Sequence, residues 1–162
     1  MGNIERLIED GGLVLPPPAR LPDNTTSPFS MVIRQGTRLL ISGHGPQAPT
    51  GEFPAMQGKL GVSLSVDEGY LAARLVALSM LGSIKRELGE LDRVTRWIRV
   101  FGMVNSSLTF CNQPSVINGF SDLIISLYGG VRGSHARSSV GMAQLPFNIP
   151  VEIEAEVEID GD

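Results

Sequence analysis

A chain of 162 residues with 42% hydrophobic and 19% charged side chains is the length and makeup of one globular domain able to bury a core. Its net charge of −4 argues against a phosphate-gripping surface, and the one arginine cluster splits, with Arg93 and Arg99 on one strand face and Arg96 on the other. No apolar run reaches membrane-span length, the opening residues lack a basic-then-apolar signal layout, and Arg6 stands where a myristoylation pattern needs Ser or Thr, so a cytoplasmic protein is expected.

In chain order, residues 3–10 form a short helix with Ile4, Leu7 and Ile8 on one side, stopped by Gly11-Gly12. Residues 13–28, rich in Pro, Asn and Thr, form an extended arm. Residues 31–35 and 38–42 flank the Gly36-Thr37 turn as two strands. The segment 43–61 carries five glycines and three prolines, a loop long enough for a functional role. Ser65 and Glu68 make a capping box that opens a helix reaching about Leu88, with Tyr70, Ala73, Ala77, Met80, Leu81, Ile84 and Leu88 as its apolar stripe.

A strand over residues 93–104 follows, with Trp97 and Phe101 assigned to one face. Cys111, the single cysteine, is expected to be small and semi-buried, and it permits no internal disulfide or cysteine-rich metal site. Pro114 opens a second long helix that buries Val116, Phe120, Leu123, Ile124 and Leu127 and ends at Gly129-Gly130. The chain closes with a strand headed by Arg137, a turn from Pro146 to Pro150, and the unbroken alternation 151–159, which sets Val, Ile and Ala against Glu152, Glu154, Glu156 and Glu158. Paired as a hairpin, the last two strands would bring Arg137 and Glu152 to the same end. The order β-β-α-β-α-β-β predicts an α+β two-layer sandwich, a mixed sheet with two helices on one face. A single domain over 1–162 is expected, with 1–27 as helix and arm and 28–159 as core.

Arg137 and Glu152 have two readings from spacing alone. They are solvated surface charges, or a planar donor fork for a ligand carboxylate beside a carboxylate that handles water. The run Ala136-Arg137-Ser138-Ser139-Val140, then Leu145-Pro146, then Val151-Glu152-Ile153-Glu154-Ala155 resembles the signature of the YjgF, or Rid (reactive intermediate deaminase), superfamily. Upstream, Leu40-Ile41-Ser42-Gly43 and Val116-Ile117-Asn118-Gly119-Phe120 extend the resemblance over about residues 28–159, and Gly58 to Gly61 and Asp67 to Arg74 resemble a longer bacterial branch.

The resemblance implies a chorismate-mutase-like fold and homotrimers with clefts between subunits. It implies hydrolysis of enamines and imines to 2-oxo acids and ammonia without metal or organic cofactor, with Arg137 holding the substrate carboxylate and Glu152 orienting water. Phe29, Ser30, Gly43 and Ser139 are the further substrate-binding positions. Two of these depart from the pattern: Phe29 replaces a tyrosine and Ser139 a frequent cysteine. His44 and His135 are read as proton-transfer groups or as structurally bonded rings, and Asn118 as a polar surface position, a local hydrogen bond or a subunit contact. A trimeric module that binds a small carboxylic acid without turnover is the alternative function, and RNA cleavage a third. No nucleic-acid or membrane partner is expected.

Overall fold

The computed structural model describes residues 2–22 and 25–161. Its elements are α1 (Asn3–Asp10), β1 (Val32–Gln35), β2 (Arg38–His44), α2 (Val66–Leu88), β3 (Val94–Asn105), α3 (Gln113–Arg132), β4 (Ala136–Met142) and β5 (Val151–Ile159), with short 3-10 turns at Leu91–Arg93 and Pro146–Asn148. One five-stranded mixed sheet runs β1-β2-β5-β3-β4. The architecture is the α+β sandwich expected from the element order. No helix among the described residues is long and apolar enough to cross a membrane.

The strand with the longest unbroken alternation takes the centre. Val151, Ile153, Ala155, Val157 and Ile159 of β5 are buried under the helices, while the glutamates face away. Central placement costs the predicted closing hairpin. β5 pairs antiparallel with β2 and β3, and β4 pairs parallel with β3, so β3 separates the last two strands. The spacing resembled a hairpin because β4 and β5 do run in opposite directions; α3 supplies the crossover that parallel pairing requires.

Bulges correct the reading of β3. Its register shifts between Val94 and Arg96 and again between Trp97 and Arg99. Each shift resets the period of two. Trp97 is therefore fully buried under the helices, whereas Phe101 pairs with Glu154 on the opposite face, so the two do not share a side. Arg96 and Arg99, expected on different faces, lie opposite Glu158 and Glu156 on the same one, and Arg93 falls in the preceding turn, bonded to Asp160.

α2 opens at the Ser65–Glu68 capping box and ends at Gly89. It is buried more widely than one stripe, with Ala72, Val76 and Leu78 joining the expected residues, because the N-terminal segment covers part of its outer side. Ile4 and Ile8 of α1 belong to the core, and the Glu5 carboxylate accepts the Leu91 amide. The arm that follows is tied down by two carbonyls: Pro16 accepts from Arg86 and Pro17 from Gln47. α3 breaks at Gly129 (φ 76°, ψ 169°), as its glycine pair implies, then adds a last turn to Arg132. Cys111 is exposed rather than semi-buried, since it lies in the turn ahead of α3.

The two long helices touch at Gly119, where an added Cβ would collide with the Tyr70 carbonyl oxygen. Gly119→Ala is expected to cost about 1–3 kcal/mol, because backbone blocks the new methyl on one side. Urea unfolding checks this; an unchanged midpoint would mean that the helices separate freely.

Candidate functional site

β1 begins at Val32 opposite Ile41, and past the Ser42 amide's bond to the Met31 carbonyl no strand pairs with this margin of β2 among the described residues. There β2 bulges between Ile41 and His44, and the Glu152 carboxylate lies over Gly43, where an added Cβ would displace it. A cavity of about 730 Å³ opens along this margin, between the arm, α2 and the turn after β4. Phe29, Ser30, Gly43 and Glu152, four of the residues expected at the site, line it together. Burial, reinforced by the neighbouring Glu154 charge, raises the Glu152 pKa above its ordinary 4.5. Such a carboxylate holds a proton more readily than a solvated one and accepts one from water more readily once ionised.

The long loop after β2 supplies one wall. Phe53 meets Phe147 edge to face, with ring centroids 5.5 Å apart. Phe147 and Asn148 both have left-handed φ, 56° and 55°. Side-chain residues occupy that region only when their surroundings hold them there. Gln57 donates to the Phe147 carbonyl, the Gly58 amide to the Asn148 carbonyl, and the buried Asn105 amide to Gly58 and Ile149. Segment 43–61 is thus pinned to β3 and to the turn before β5, and the aromatic pair stands at the cavity wall.

Arg137 and Ser139 lie elsewhere. Arg137 pairs with Val100 on the helix side of β4, and Ser139, two residues on, shares that side, its Oγ buried without a partner among the described residues. Within one chain Arg137 and Glu152 are on opposite faces of the sheet with β3 between, which corrects the expectation that they meet at one end of a hairpin.

Arg137 is nonetheless held in place. Its Nη1 donates to Asn118 Oδ1 (2.9 Å) and Ser121 Oγ (3.0 Å), and its Nη2 reaches the Pro114 carbonyl at 3.5 Å. Asn118 therefore makes the local hydrogen bond. Nε and one Nη2 hydrogen have no partner among the described residues. Partial burial lowers the Arg137 pKa, with Asp122 opposing, but the group stays cationic.

The support behind Arg137 recurs in the molecule. His135 Nδ1 lies 2.7 Å from the Gly133 carbonyl, which can only accept, so this nitrogen carries the proton. Nε2 then accepts from Ser121 (2.9 Å), leaving the Ser121 lone pairs for Arg137. His44 repeats the pattern. Nδ1–H donates to the Ser42 carbonyl (2.7 Å), Nε2 accepts from Ser83 (2.9 Å), and Ser83 Oγ accepts from Arg86 Nη2 (2.9 Å). Desolvation drives His44 down to about 4 and also lowers His135. Both rings are neutral acceptors with both nitrogens filled, the structurally bonded reading of these histidines.

Sequence reading missed Ser83 and Arg86. The signal was present: Ser79, Ser83 and Arg86, spaced four and three apart, form a polar stripe on an otherwise apolar helix. Ser79 donates to the buried Gln47, which in turn holds the arm.

The family described as "YjgF/chorismate mutase-like, putative endoribonuclease" matches residues 5–154. The chain belongs to this family. Protein TCP17 of Trypanosoma cruzi is 42% identical over 98% of this chain and 92% of its own length. The crystal structure of Atu1372 from Agrobacterium tumefaciens superposes with a TM-score of 0.86 at 38% identity, covering 97% of this chain and 92% of that one. The yjgF gene product of Escherichia coli shares the fold (TM-score 0.58, 22% identity, 90% and 97% covered). In this YjgF-family chain the signature residues divide between two places, the Glu152 cavity and the Arg137 edge of the sheet.

Proposed function

We propose that the protein is an imine and enamine deaminase whose site is completed between subunits, Glu152 coming from one and Arg137 from the next. One observation carries the reading: a half-buried carboxylate of raised pKa on a preformed cavity wall, and a guanidinium positioned by two side-chain oxygens with donors to spare. Neither has an ion-pair partner among the described residues. Their place on opposite faces means that a joint site requires a second copy. Material for an interface is present, since both sheet edges lack a strand partner among the described residues and Ile33 (53% exposed) and Leu40 (44%) stand on the helix-free face. A homotrimer, about three times the 17.4 kDa chain mass, is the expected assembly, to be checked by light scattering.

In the reaction Arg137 takes the substrate carboxylate through Nε and Nη2. Ionised Glu152 accepts a proton from water as its oxygen attacks the imine carbon. Protonated Glu152 gives that proton to the imine nitrogen, forming the carbinolamine. Glu152 then takes the hydroxyl proton and passes it to the nitrogen as the C–N bond breaks, releasing ammonia and the 2-oxo acid. Phe29 offers no phenol, so proton traffic falls to Glu152 and water.

The test is a coupled assay in which a dehydratase generates 2-iminobutanoate and 2-oxobutanoate release is followed with and without the protein. Acceleration is expected from the natural chain and not from Arg137→Ala. Tight 2-oxobutanoate binding without acceleration would assign a binding module instead.

The raised Glu152 pKa has a kinetic signature. Activity needs the ionised form, so the acidic limb of kcat/KM should lie above the ordinary glutamate range. Glu154→Gln removes one cause of the shift and should move that limb to lower pH. A limb that stays put would separate Glu152 from the rate.

A further inference from the structure

The cavity is far larger than a four-carbon imino acid needs; about 730 Å³ lies in the range that holds drug-sized ligands. Its walls include Phe29, Phe53 and Phe147, which suit an extended apolar body. On the α2 side stands Arg86. Two of its five N–H groups are used, by the Pro16 carbonyl at 3.0 Å and by Ser83 Oγ at 2.9 Å. Those two contacts hold one hydrogen on each of the two terminal nitrogens. Ser83 (7% exposed) is itself locked by His44 (3% exposed).

No carboxylate among the described residues pairs with Arg86, whereas Arg38, Lys85, Arg93 and Arg132 each lie within 4 Å of one. Glu87 lines the same cavity without forming an ion pair with it. A rigidly held arginine with three spare donors, on the wall of a roomy aromatic-sided cavity, is built to receive an anion. Glu152 lies on the same cavity by way of Gly43, His44 and Ser83.

We infer that Arg86 binds a second acidic group at the far end of the substrate, so that the preferred ligands are dicarboxylic 2-oxo and 2-imino acids with a chain between their carboxylates. This rests on the reading of the Glu152 cavity as the substrate site. Each end of such a ligand has its own arginine: Arg137 of the adjoining subunit for the carboxylate beside the reacting carbon, and Arg86 for the remote one.

The experiment is calorimetric titration of the full chain with 2-oxoadipate and 2-oxohexanoate, which share chain length and differ in the terminal group. The dianion should bind at least about tenfold more tightly, the scale of one charge-assisted contact. Arg86→Gln should erase that difference and leave 2-oxohexanoate affinity in place, with the melting transition of the variant showing that it folds. Equal affinities in the natural protein, no binding of either acid at millimolar concentration, or a preference that survives Arg86→Gln would each overturn the inference. The deaminase reading fails separately. If neither imine is hydrolysed but the dianion preference and its Arg86 dependence are measured, Arg86 recognition holds and turnover does not.

Discussion

Arg137→Ala and Glu152→Gln, each made alone, should abolish deamination, and mixing the two variants in one assembly should restore it. Every site draws its arginine from one subunit and its glutamate from another, so a mixed assembly contains interfaces where both contributors are intact. With random mixing at equal ratio, about a quarter of the sites regain both groups, whether the ring has two members or three. Each single variant should lose at least about 100-fold in kcat/KM, as expected when a group acting on the reacting centre is removed. The measurement is activity after co-expression with two different affinity tags and purification through both. Because that purification discards unmixed assemblies, recovery near a third of the natural rate for a trimer, or a half for a dimer, places the two groups on different chains. No recovery from verified mixed assemblies would mean that each chain works alone, and the opposite-face geometry of Arg137 and Glu152 would then have to change in the active state.

The second large effect concerns acid stability and comes from His44. Its folded pKa of about 4, set chiefly by desolvation, lies below the ordinary 6.5. Between those values the unfolded chain binds a proton that the folded chain does not, so stability rises with pH across the window and is lost as pH falls through it. The shift corresponds to about 3 kcal/mol lost between neutrality and pH 4. His135, lowered for the same first reason, adds to the loss. Glu152 has the opposite sign, because its raised pKa makes the folded chain the better proton binder and offsets part of the decline.

Denaturant unfolding of the natural chain and of His44→Gln at a series of pH values checks this. The variant should be less stable at pH 7, where Ser83 has lost its acceptor, and should decline less on acidification. Parallel declines would show that His44 does not titrate in unfolding.

The elements were legible in the sequence wherever local chemistry decides them. The Ser65–Glu68 box starts α2, Gly129 interrupts α3, and the alternation of β5 assigns its two faces, because capping, left-handed φ and the period of two are properties of a few adjacent residues. β3 was misread because a bulge depends on the partner strand, and no residue between Val94 and Arg99 announces one. Phe29, Ser30, Gly43 and Glu152 did come to one cavity, and Gly43 is glycine for a reason visible only across two strands.

By itself the sequence determined the element order, the family and the residue types available for chemistry, since these follow from composition, periodicity and local motifs. The tertiary structure alone decided that β5 takes the centre, that Arg137 and Glu152 part to opposite faces, and that two neutral histidines brace two arginines through serines. Those outcomes depend on strand order, bulges and burial, which couple residues tens of positions apart and leave no local mark on the chain.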